Sequence, residues 1–78
     1  MEEIKAGDIK WFHEEGEVIE VEVLDVDEDL EGEAFELKAT GKSKSRSRYC
    51  KSIEKDEVFS VWRAHGYESY AGWHLLDK

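Results

Sequence analysis

The stretch Ile19-Glu20-Val21-Glu22-Val23-Leu24-Asp25-Val26-Asp27 decides the fold. Ile19, Val21 and Val23 alternate with Glu20 and Glu22, the period of a strand with one buried and one wet face. After Val23 the phase changes, and Leu24 and Val26 now alternate with Asp25 and Asp27. A phase change of this kind predicts a β-bulge or a strong bend. Small all-β domains use such bends to turn a corner between two sheets. Phe35, Leu37 and Ala39 alternate with Glu36 and Lys38 and form the next strand. Asp27-Glu28-Asp29-Leu30-Glu31-Gly32 joins the two, with Asp to bend the chain and Gly to take positive φ.

Working outward, Asp8 to His13 reads as a short strand carrying Ile9 and Trp11, with its turn at His13 to Gly16. Val58 to Ala64 is a strand with Val58, Ser60 and Trp62 on one face and Phe59, Val61 and Arg63 on the other. Trp73 to Leu76 is a closing strand. The spacing of Tyr49, Ile53 and Glu57 permits a short helix within 45–56. Five strands with a long insertion after the third predict an all-β fold, a small five-stranded barrel. An SH3-like arrangement is favoured, and an OB-like one, with its helix between strands three and four, is the alternative. Trp11 and Phe59 are expected in the core, and Tyr67 and Tyr70 in an exposed loop.

The chain has 78 residues, which points to a single domain with a small core. Charged residues make up 40 %, against about 25 % in a typical globular chain. The nine aromatics nonetheless argue for a folded chain. No apolar run approaches about 18 residues, so no transmembrane helix is expected. The acidic start, Met1-Glu2-Glu3-Ile4-Lys5, lacks the apolar run of a signal peptide. A single cysteine, Cys50, forms no internal disulfide. Together these features predict a cytoplasmic protein.

Charge is segregated along the chain. Glu14 to Glu36 holds 12 acidic residues and no Lys or Arg, whereas Leu37 to Ile53 holds six bases and no acid. The net charge of −9 conceals this division, which can steer partners. The leading functional expectation is a non-catalytic binding module for a polyanion such as nucleic acid. Lys42, Lys44, Arg46, Arg48 and Lys51 would neutralise phosphates, and Tyr49, Tyr67 and Tyr70 would stack on bases. The alternative is a protein-interaction or inhibitor domain, a nucleic-acid mimic included, that docks a basic partner. There the acidic hairpin 17–36 would present Glu20, Glu22, Asp27, Glu28, Asp29 and Glu31. Phosphorylation of Ser43, Ser45 or Ser47 would cancel the charge of the basic stretch.

Two metal readings are weaker. Asp25, Asp27, Asp29, Glu31, Glu33 and Glu36 fall at positions 1, 3, 5, 7, 9 and 12 of a twelve-residue window. That spacing is similar to an EF-hand loop and would imply calcium. However, Leu30 stands at the sixth position, where the turn needs Gly, and the flanks read as strands. His13, Cys50, His65 and His74 are suitable zinc ligands but lack the spacing of a zinc module. No cofactor is expected, and no nucleophile has an identifiable base, so no enzymatic activity is expected either.

The acidic stretch repels itself at close range, and salt screens that repulsion. The melting temperature should therefore rise between low and moderate ionic strength. A fall, recorded by calorimetry, would mean that attraction between the two charged stretches dominates instead.

Overall fold

The structure is a computed structural model that describes residues 4–44, 54–67 and 70–78. Five antiparallel strands form one sheet: β1 (Ile9–Glu14), β2 (Glu17–Glu28), β3 (Gly32–Ser43), β4 (Val58–Ala64) and β5 (Trp73–Leu76). Their lateral order is β4-β3-β2-β1-β5, so four strands run as a meander and the fifth returns beside the first. The described residues contain no α-helix, and hence none long and apolar enough to cross a membrane. Of the helix expected within 45–56, only residues 54–56 are described, and they form a turn. Residues 45–53 lie outside the described residues.

The phase change in β2 is a bulge. Val23 faces Leu37 and Asp25 faces Glu36, so Leu24 is the extra residue. Val21, Val23 and Val26 can then all turn toward one side, although the spacing breaks after Val23. A second shift lies between Ile19 and Val21, whose partners are Ser43 and Ala39. Here the extra residues belong to β3, and Gly41 takes φ 100°. The two irregularities bend the long β2–β3 hairpin. Its inner face, with Ile19, Val21, Val23, Phe35, Leu37 and Ala39, is buried together with Phe12 and Trp73.

Aromatic contacts close the core. Phe12 meets Phe59 edge-on at 5.2 Å and stacks on Trp73 at 6.0 Å, and Trp73 meets Phe35 edge-on at 5.8 Å. The sheet curls far enough for the Trp73 indole N–H on β5 to donate to the Trp62 carbonyl on β4, at 3.4 Å. No ladder joins those two edge strands, so the sheet is not closed into the expected barrel.

The expected phase of β1 is inverted. Phe12 is in the core, whereas Trp11 is only half-buried and Ile9 is exposed. Lys10 shares the inner side with Phe12. Its aliphatic stem tolerates burial while its ammonium pairs with Asp77 beyond β5. The sequence offered an apolar residue at each of Ile9, Trp11 and Phe12, so alternation alone could not choose the inner face. Phe59, also expected in the core, is half-buried and packs against it.

Both hairpin turns show why their residues are there. Glu15 and Gly16 take φ 48° and 83°, the two positive values that a type I′ connection demands. In the β2–β3 turn, Asp29 Oδ1 accepts from the N–H groups of Glu31 (2.8 Å) and Gly32 (2.9 Å). Gly32 does not take the positive φ expected of it. It is needed for space, since a Cβ there would lie 2.3 Å from the Arg63 carbonyl oxygen and 2.7 Å from the Trp62 ring. Gly32→Ala must therefore push β4 away from β3. Overpacking of this kind costs about 1–3 kcal/mol, and a urea melt should show the loss. An unchanged midpoint would contradict the close approach.

Candidate functional site

Side chains on the outer face of the sheet follow from the register. Asp25 on β2 stands opposite Glu36 on β3, which stands opposite Ser60 on β4. Two residues along, Asp27 stands opposite Ala34, which stands opposite Trp62. The short side chain of Ala34 leaves space open beside Asp27, while the Trp62 ring lies over Gly32. An open depression of about 180 Å³ results, lined by Asp25, Asp27, Ala34, Phe35, Glu36 and Ser60. Trp62 adjoins it on the same face and is 53 % exposed.

The electrostatics of this depression are one-sided. Carboxylates directly opposite each other across a ladder destabilise the sheet unless a cation intervenes. Among the described residues, no Lys or Arg pairs with Asp25, Asp27 or Glu36. Several bases elsewhere are engaged. Arg63 donates from Nε to Glu33 (2.8 Å), and its guanidinium lies over the rings of Phe35 and Trp73 at 5.4 and 5.2 Å. Lys38 lies 3.9 Å from Glu22, and Lys78 lies 2.6 Å from Glu20 Oε2. The Lys44 ammonium sits 4.3 Å from the centre of the Trp11 ring.

The acidic residues expected to form one docking row have separate roles. Glu20 is only 5 % exposed, because Thr40 donates to its Oε1 at 2.7 Å and Lys78 covers the other oxygen. Glu22 is half-buried beside Lys38. Asp29 is committed to the turn. Asp27, Glu28 and Glu31 are exposed. His65 binds the back of this turn, its Nε2 2.9 Å from the Asp29 carbonyl oxygen and 3.9 Å from Glu28.

The polyanion candidates are divided too. Lys42 and Lys44 are exposed at the far end of β3, while Arg46, Arg48, Tyr49 and Lys51 lie outside the described residues. Tyr67 and Tyr70 are exposed, with ring centres 6.5 Å apart. Tyr67 hydrogen-bonds to Ala64, the partner of Gly32, so it sits at the acidic-turn end of β3, away from Lys42 and Lys44. The EF-hand spacing builds no cage. Asp25 and Asp27 are on extended strand and Asp29 holds the turn, so the window never wraps a centre. Among the described residues no group of three or more His, Cys, Asp or Glu is placed to hold a metal ion.

Sequence reasoning did not single out Trp62 with Asp25 and Glu36. The signal was present in β4, where the polar Ser60 between Val58 and Trp62 marks their shared face as outward. Comparison of the chain with protein-family models, curated proteins and solved structures finds no match.

Two carboxyl groups are held below their ordinary range. For Glu20 the causes are the Lys78 ammonium and the Thr40 hydroxyl, which outweigh the opposing effect of burial. For Asp29 they are the N–H groups of Gly32 and Glu31. A depressed folded-state pKa adds stability above the unfolded value, near 4 for a carboxyl, and that stability is lost as pH falls through the folded value. Asp29→Asn keeps an acceptor in the turn and removes the titration. The wild type should be the more stable near neutrality, and its advantage should shrink between about pH 5 and pH 2. Denaturation midpoints across that range check this; a constant gap would contradict it.

Proposed function

We propose that the protein is a small non-catalytic binding module that docks a basic protein partner on the outer face of β2, β3 and β4. The observation that carries this reading is the opposed pair Asp25 and Glu36, with Asp27 beside them and Trp62 at the margin. A lysine or arginine side chain entering the depression relieves the repulsion between carboxylates. It also gains a cation–π contact with the indole, an interaction favoured where the ring is accessible. Trp is the residue type that most often anchors an interface. The net charge of −9 accelerates encounter with such a partner and makes the association salt-dependent.

The strand order favours an SH3-like reading of the fold over an OB-like one, because the fifth strand returns beside the first after a simple meander. This analogy supplies no function by itself. A second reading, polyanion binding by the basic stretch 42–51, draws support from the exposed Tyr67–Tyr70 pair. It is the weaker of the two. Those rings lie at the acidic end of the hairpin, and the net charge opposes a polyanion.

A titration with a lysine- and arginine-rich peptide and with single-stranded nucleic acid, each at two salt concentrations, separates the readings. The peptide should bind. Asp27→Lys combined with Glu36→Lys should abolish that binding, and Trp62→Ala should weaken it by roughly tenfold or more, the loss expected of an interface anchor. Lys42→Ala with Lys44→Ala should leave it unchanged. Nucleic-acid binding that disappears in the lysine variant, with no peptide binding, would replace this proposal with the other.

A further inference from the structure

The ladder between β1 and β5 brings together two of the four zinc-ligand candidates that the sequence left scattered. His13 on β1 stands directly opposite His74 on β5. Phe12 and Leu75, the next pair, turn into the core, so both imidazoles project from the outer face. His74 is exposed and His13 half-buried. Among the described residues, neither ring has a hydrogen-bond, ion-pair or ring partner.

We propose that His13 and His74 form a two-imidazole site for a borderline divalent transition-metal ion, with Zn²⁺ as its representative. Residues directly opposite in an antiparallel pair have Cβ atoms about 4.5–5.5 Å apart. Imidazole nitrogens sharing an ion at about 2.0–2.1 Å each can be reached from that spacing by ordinary side-chain rotation. The surroundings select the class of ion. Val18 lies beside His13 on β2, and Trp11 and Leu76 form the adjacent pair on the same face. Glu20, opposite Trp11 on this face, is already held by Thr40 and Lys78, and a pair of imidazole donors suits zinc, copper and nickel, whereas calcium and magnesium need oxygen ligands. Two protein ligands leave the shell incomplete, which makes the site open and exchangeable instead of a structural clamp. The site does not depend on the basic-partner reading, since it lies on the β1–β5 side of the sheet and uses none of Asp25, Asp27, Glu36 or Trp62. His65 is excluded from it by its position at the β2–β3 turn.

The test is calorimetric titration of the full chain with Zn²⁺ near pH 7.5. A single ion should bind, and excess Mg²⁺ should not displace it. His13→Ala and His74→Ala should each weaken binding by more than the roughly 10–100-fold that loss of an outer-shell partner costs. His65→Ala, Cys50→Ser and the double change Asp25→Asn with Asp27→Asn should bind as the wild type does. Should an alanine variant fail to fold, ring-proton NMR of the wild type keeps the question decidable. The His13 and His74 resonances should move together during the titration, and the His65 resonance should not. No binding by the wild type, binding retained in either histidine variant, or loss in the cysteine or aspartate variants would overturn the proposal.

Discussion

The shared inner face of β2 and β3 is the constraint on which the rest of the molecule depends. Val21, Val23, Phe35 and Leu37 are the most completely buried large side chains, and all four belong to this one hairpin. A flat hairpin would leave that face wet. The extra residue at Leu24 and the excursion around Gly41 bend it so that it covers itself. Only then can Phe12 and Trp73, carried by the pair β1–β5, pack across the opening. A chain this short buries too little apolar surface to tolerate a second, independent core.

Charge is arranged around that hairpin according to which face each residue occupies. Inward-turned ionic groups are matched: Arg63 with Glu33, Lys10 with Asp77. Glu20, buried behind Thr40, has Lys78. Burial without such partners would be costly. The outer carboxylates at Asp25, Asp27 and Glu36 face water, where the lack of a paired cation costs less and leaves them available to another molecule. The distinction between matched and unmatched acids, more than the number of acids, identifies the candidate site. The same logic separates Trp73, whose indole N–H is bonded within the fold, from Trp62, whose ring is half open to solvent.

Much of the strand plan was legible in the residues. The period-two pattern of Ile19 to Val23 and its break at Leu24 gave a strand and a bulge, because side-chain alternation is a local property of extended chain. The bounds of β4 and β5 followed from their apolar and aromatic runs. The acidic turn was readable from Asp and Gly, although Gly32 serves contact with β4 and not a special φ. The site was less legible. Twelve acids in one stretch look equivalent in sequence, yet Glu20 is buried, Asp29 is spent on the turn, and Asp25 faces Glu36 across the ladder.

The sequence by itself determined that this chain is a small, acidic, all-β molecule with a bent central hairpin, since each of those features is written in near neighbours. Tertiary structure alone decided which side of β1 faces inward, that β5 returns beside β1, and which side chains become lateral neighbours. Those outcomes depend on ladders between residues far apart in the chain, and one residue of register shift would reverse every face. His13 and His74, or Asp25 and Glu36, are therefore neighbours only because the sheet has made them so.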